Sequence, residues 1–130
     1  MRMTDWKRLA EQECYRYRDN LAYVQGVLDA GSTAGERMYR CAKWVLAVEY
    51  AKEYLEKYAP LKARFFNELY GIDKPLRRRC EKKSITALSL SLHTDRSTLY
   101  KWKSEALTLV VLGAVQAGAL QPYGGGASNP

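Results

Sequence analysis

Apolar residues recur every three or four positions along most of the chain, which is the spacing of amphipathic helices. The first such stripe, within residues 4–28, consists of Trp6, Ala10, Cys14, Tyr17, Leu21, Val24 and Leu28. It predicts one long helix, which ends at Asp29-Ala30-Gly31-Ser32 because glycine readily adopts the left-handed conformation that closes a helix. No stretch shows the two-residue alternation of a strand. The predicted fold class is therefore all-α.

A second long helix is predicted after a short connection. Thr33-Ala34-Gly35-Glu36 matches a capping box, so we expect this helix to begin at Thr33. Its stripe consists of Cys41, Trp44, Val48, Ala51, Leu55 and Tyr58. Two long helices joined by a few residues predict an antiparallel hairpin. Pro60 indicates a kink or a new helix, and a third, shorter helix is expected to end at Gly71.

Residues 84–102 have the pattern of a helix-turn-helix. Ser84 and Asp95 are good N-cap residues, and they precede predicted helices over Ser84 to Leu92 and Asp95 to about Leu120. His93 lies at the sharp turn, where φ is often positive and histidine is tolerated. The residues expected to be buried at the helix contacts are Ile85, Leu88, Leu92, Leu99 and Trp102. A pair of ordinary core helices with polar residues outward is the simpler alternative.

The polar residues of the second helix in this pair are candidates for DNA contact. Those on the face opposite the buried positions are Arg96, Ser97, Tyr100, Lys101 and Ser104. Such side chains read base edges or bind phosphates when a helix enters the major groove. Thr98 and Lys103 are better placed for backbone phosphate.

The charge of the chain is concentrated around this motif. Of the formal net charge of +7, residues 71–104 carry +6, with nine basic and three acidic residues. The basic residues just before the motif, which we expect to attract DNA phosphates, are Arg77, Arg78, Arg79, Lys82 and Lys83. The alternative is a solvated charge run. The structure of residues 71–83 is left open between an ordered loop and a helical turn led by Pro75.

The chain also resembles a known family. The helix Leu61-Lys62-Ala63-Arg64-Phe65-Phe66-Asn67-Glu68-Leu69-Tyr70 and the segment Asp95-Arg96-Ser97-Thr98-Leu99-Tyr100-Lys101-Trp102-Lys103-Ser104-Glu105-Ala106-Leu107 are similar to phage and prophage regulators of the RinA/ArpU type. The DNA-binding part of that family resembles region four of bacterial sigma factors. The resemblance implies control of late phage genes by promoter binding, with RNA polymerase as a further partner. The serine-rich Ser84 to Ser91 and the basic spacer Gly71 to Lys83 depart from the family pattern.

Residues 107–120 continue the second helix of the motif and are apolar on every side. A helix of this kind should be buried all round, by the N-terminal hairpin or by another subunit. Its small-residue faces, Gly113 with Ala117 and Ala114 with Gly118, suit close helix contact. We therefore expect a homo-dimer reading paired half-sites. The predicted division is a helical assembly region at 1–59, a DNA-binding region at 60–120 and a flexible tail at 121–130.

Several function classes are disfavoured by the sequence. No nucleophile, base or metal set has a recognisable spacing, so neither an enzyme nor a small-molecule substrate nor any cofactor is expected. Three widely spaced cysteines fit a reducing cytoplasm, and the N-terminus lacks the apolar run of a secretory signal. The longest apolar stretch is shorter than the roughly 20 residues of a membrane span. Two alternatives to a regulator remain: a DNA-packaging protein like a small terminase subunit, and a helical adaptor that binds an acidic protein.

Overall fold

The computed structural model describes residues 2–76 and 83–121. Within these ranges the chain is all-helical, as the sequence predicts, and contains no strand. The six helices are α1 (Met3–Tyr15), α2 (Tyr17–Asp29), α3 (Glu36–Tyr58), α4 (Pro60–Tyr70), α5 (Ile85–Leu92) and α6 (Arg96–Ala117).

The prediction of one continuous helix over residues 4–28 is wrong. The chain breaks at Arg16, whose backbone (φ −91°, ψ 0°) separates α1 from α2. The break allows the two helices to pack against different partners: α1 packs chiefly against α6, and α2 packs against α3. Beside it, the buried Glu13 carboxylate accepts a hydrogen bond from Asn20 Nδ2 at 2.9 Å.

The predicted start of the next helix is also wrong. α3 begins at Glu36, after an extended Gly35, and no side chain caps its first turn. Thr33 is exposed and lies before the helix, so the predicted capping box does not form. The bounds of the next helix agree with the sequence. α4 starts at Pro60, and Gly71 ends it with a φ of 67°, the left-handed conformation that glycine favours.

The two longest helices, α3 and α6, form the centre of the molecule and run antiparallel. Gly113 of α6 meets Ala47 and Tyr50 of α3, while Gly118 at the end of α6 lies near Lys43, closer to the start of α3. A Cβ at Gly113 would lie 2.8 Å from the Ala47 carbonyl oxygen, so only glycine allows this approach. The small residue predicted for helix contact is thus used inside the subunit.

One hydrophobic cluster contains buried residues of all six helices. It includes Ala10 and Cys14 of α1, Phe65 and Phe66 of α4, and Leu88 of α5. α6 packs chiefly against α3 and α1, which is the hairpin-side covering that the sequence allowed, and most apolar residues of its second half are buried or half-buried. Leu112 is the exposed apolar residue of this half, with 46% of its surface in water. In the described residues, no helix combines the length and apolar character needed to cross a bilayer.

Candidate nucleic-acid interface

Helices α5 and α6 are joined by a short turn that is held by its own side chains. Ser84 Oγ accepts a hydrogen bond from the Ala87 amide at 3.1 Å, and this N-cap starts α5. Asp95 Oδ1 accepts one from the Thr98 amide at 2.9 Å and starts α6. Both predicted caps are confirmed. They satisfy amides that a first helical turn otherwise leaves without partners.

The turn itself has the conformation that the sequence indicates. His93 ends α5 with φ 52° and ψ 42°, the one residue other than glycine with positive φ in the described chain. Ser89 Oγ donates to the Thr94 carbonyl oxygen at 2.6 Å, and Thr94 Oγ1 donates to the Leu92 carbonyl oxygen at 3.0 Å. The Ser89 and Thr94 hydroxyls therefore close the turn by bonding to its backbone carbonyl oxygens.

The predicted burial pattern of this helix pair is confirmed. Leu88, Leu92 and Leu99 are buried, and Ile85 and Trp102 are partly buried against the same cluster. The Trp102 ring packs edge to face on Phe65 of α4, with centroids 6.1 Å apart. α4 thus supports α6 from behind, on the side away from the polar residues.

Four of the predicted contact residues lie together and exposed on the first two turns of α6. They are Arg96, Ser97, Tyr100 and Lys101, called here the α6 polar face. Tyr100 is 55% exposed. Among the described residues, neither Arg96 nor Lys101 takes part in an ion pair. Their charges remain available to an external anion.

The other predicted contacts of α6 are differently placed. Lys103 Nζ lies 3.0 Å from Glu11 Oε2 of α1, so its charge is already paired. Ser104 is exposed, and its Oγ accepts a hydrogen bond from Lys7 Nζ of α1 at 2.7 Å. Thr98 is half-buried at the cap. Lys103 and Thr98 are therefore set apart from the α6 polar face, whereas Ser104 lies on the same exposed side of α6, one turn further along the helix.

Of the predicted basic segment before α5, only Lys83 is described. Its Nζ lies 2.8 Å from Glu68 Oε1 of α4, an ion pair that holds the pKa of the Glu68 carboxyl below its usual value. Lys83 is thus engaged within the chain. Arg77, Arg78, Arg79 and Lys82 lie outside the described residues, as does the predicted tail over 122–130.

The sequence did not indicate two α1 residues that shape this site. Glu11 receives a hydrogen bond at 2.6 Å from the buried Tyr70 hydroxyl, in addition to the ion pair with Lys103. Burial is the main cause that raises the pKa of Tyr70. Lys7 adds a positive charge beside Ser104. These contacts join residues far apart in the chain, so no local sequence pattern predicts them.

The described residues contain no cluster of three or more histidine, cysteine or acidic side chains that could hold a metal ion. Two carboxylates on α3 have partners of another kind: Glu49 accepts a hydrogen bond from Tyr17 Oη at 2.8 Å, and Glu56 pairs with Lys52. Comparison with protein-family models, curated proteins and solved structures finds no significant match.

Proposed function

We propose that this chain is a sequence-specific double-stranded DNA-binding protein, a phage-derived transcriptional regulator acting at late promoters. In this proposal α5 and α6 are its helix-turn-helix, and it works as a homo-dimer. The α6 polar face carries the proposal, because two cations that pair with no acidic residue of the described chain, and two hydrogen-bonding side chains, project together from the start of one helix. A helix entering the major groove presents its N-terminal residues in this way.

Each member of the α6 polar face has a chemical role in the proposal. Arg96 suits bidentate hydrogen bonding to guanine, and Ser97 can donate to or accept from a base edge. Lys101 and Tyr100 suit base or phosphate contact. Lys103 is left out of the DNA contacts, since Glu11 neutralises its charge. Lys7 is added as a phosphate contact, because its ammonium group lies at Ser104 on the neighbouring turn of α6.

The test is selection of bound duplexes from a random DNA library with the full chain, followed by titration of the enriched sequence. If four to six phosphates are contacted, the logarithm of the association constant should fall with the logarithm of salt concentration at a slope of about −4 to −5.

Arg96→Ala and Lys101→Ala should each weaken binding to the enriched duplex by about 10-fold or more, since a good base contact contributes roughly 1–3 kcal/mol of discrimination. Binding to a scrambled duplex should weaken less. The matched control is Arg40→Ala, which removes the same charge near the opposite end of α6, beside Gly118. Equal losses on both duplexes, or a loss with Arg40→Ala as large as with Arg96→Ala, would contradict specific reading by α6. No binding at low salt would reject the proposal.

A further inference from the structure

A tyrosine-rich surface on α3 and α6 has no role in the site described above. We define the tyrosine patch as Leu46, Tyr50, Tyr54, Tyr58, Leu109 and Leu112. The Tyr54 ring lies between those of its neighbours and is tilted against both, with ring centroids 6.5 Å from Tyr50 and 4.8 Å from Tyr58. A groove of about 350 Å³ connects Tyr54 to Leu109 and Thr108 of α6. The patch therefore continues across both helices.

We propose that a second copy of this chain docks on the tyrosine patch, forming a two-fold dimer that reads inverted half-sites one DNA turn apart. This inference rests on the proposed DNA-binding function and specifies its quaternary form. The tyrosine patch takes the place of the small-residue faces of α6 that the sequence suggested for helix contact, because Gly113 is already packed against Ala47 within the subunit.

The exposed area of the patch suits the centre of such an interface. Leu46, Tyr54, Tyr58 and Leu112 are 56%, 43%, 63% and 46% exposed. With about 200 Å² for a large side chain, they leave roughly 400 Å² of apolar surface in water. A stable dimer buries about 800 Å² on each partner, with an apolar centre and a polar rim. The exposed Glu53, Lys57 and Glu105 border the patch and would supply that rim.

The direction of the patch fits a two-fold arrangement. At 100° per residue, Thr108, Leu109 and Leu112 point about a quarter of a turn around α6 from the α6 polar face. When two antiparallel copies of α6 lie side by side, their two-fold axis is perpendicular to both helices and to the line that joins them. Faces a quarter turn from the contact then point the same way in both copies. Both polar faces can therefore meet one DNA duplex.

The spacing also fits DNA. Tyr50 contacts Gly113 and Tyr54 lines the groove with Leu109, so the middle of the patch is level with residues 110–111 of α6. The α6 polar face is centred about 12 residues earlier, or about 18 Å along the helix. Two copies related by the dyad therefore place their polar faces about 36 Å apart. Successive major-groove half-sites on one side of B-DNA are about 34–36 Å apart.

The first measurement is sedimentation equilibrium of the full chain at concentrations up to about 100 µM. The wild type should be a dimer, and the double variant Tyr54→Glu with Leu112→Glu should be a monomer with unchanged helical circular dichroism. The matched control is Leu28→Glu, which charges a leucine that is 63% exposed on α2 and should leave the dimer intact. Tyr58→Glu alone, at the most exposed position of the patch, serves as the second variant if the double variant does not fold.

The second measurement uses duplexes selected from a random library. The enriched sequences should contain inverted half-sites with centres about 10–10.5 base pairs apart. The double variant should bind such a duplex about 100-fold more weakly, because the two sites are no longer linked, and should bind a single half-site as the wild type does.

The failures of the two proposals differ. A monomeric wild type, a ring of many copies, or a dimer that survives both variants overturns the tyrosine-patch dimer. Single half-sites enriched by a monomer overturn it as well and leave DNA binding standing. A dimer that the variants disrupt, together with no DNA enrichment, rejects the proposed function and the half-site arrangement but retains the interface.

Discussion

At the scale of single residues, two short side chains and one histidine define where α5 begins and ends and where α6 begins. Ser84 and Asp95 cap the two helices, and His93 takes the left-handed conformation between them. All three could be predicted because capping and turn geometry depend on neighbours within three or four positions. Lys103 could not be assigned in the same way, because its ion-pair partner Glu11 lies on another helix.

The N-cap that Asp95 forms at the start of α6 should stabilise the fold in a pH-dependent way. Hydrogen bonds from the Thr98 hydroxyl and amide hold the pKa of the Asp95 carboxyl below its usual value. A carboxyl whose pKa is lower in the folded state stabilises the fold at pH values above its unfolded pKa, and this contribution is lost as the pH falls through the folded value. Asp95→Asn should therefore lower the Tm at pH 7 and have progressively less effect towards about pH 2.5.

Thermal unfolding of the wild type and Asp95→Asn across that pH range measures the effect. Asp73→Asn is the control, since it removes an exposed carboxylate outside any helix. A Tm difference that stays constant with pH would show that the charge of Asp95 does not stabilise the cap.

At the scale of helices, the number of elements after residue 36 follows from apolar spacing and from Pro60 and Gly71. The division of residues 3–29 does not. Cys14, Tyr17 and Leu21 keep the three-to-four spacing across the break at Arg16, so periodicity alone cannot reveal it. The break follows from tertiary packing, because α1 and α2 have different partners.

The contact between α3 and α6 depends on the absence of a side chain at Gly113. Gly113→Ala would place a methyl group 2.8 Å from the Ala47 carbonyl oxygen and 3.0 Å from Tyr50. Overpacking of this kind lowers the free energy of unfolding by about 1–3 kcal/mol, while the better helix propensity of alanine raises it by about 1 kcal/mol. We expect the free energy of unfolding in urea to fall by about 1 kcal/mol.

Gly26→Ala is the matched control in α2, where an added methyl group meets nothing within 4 Å. It should raise the free energy of unfolding by about 0.5–1 kcal/mol. If both substitutions stabilise the protein equally, the close approach at Gly113 does not constrain the packing of α3 on α6.

At the scale of the whole molecule, one hydrophobic core contains residues from both sides of the predicted division at residue 59. Ala10 and Val48 belong to the same hydrophobic cluster as Phe66 and Val110. The chain pattern suggested an assembly region and a DNA-binding region because charge is concentrated after residue 70. Charge distribution reports on surfaces, however, and apolar contacts decide which helices fold together.

We therefore expect one cooperative unfolding transition. The three tryptophans report on different helices, since Trp6, Trp44 and Trp102 lie on α1, α3 and α6. Denaturant titrations followed by tryptophan fluorescence and by far-ultraviolet circular dichroism should have the same midpoint within error. Separate midpoints would indicate that residues 1–59 and 60–120 unfold independently.

The contacts of α1 also have a consequence for the order of folding. Lys7 meets Ser104 across 97 residues of sequence, and Glu11 meets Tyr70 across 59. During synthesis α1 leaves the ribosome long before these partners exist, so it cannot reach its native position until α6 has emerged. Contacts of such long sequence separation slow folding, because the loop must close before they form. α1 is made before the other five described helices, yet it is among the last of them to dock.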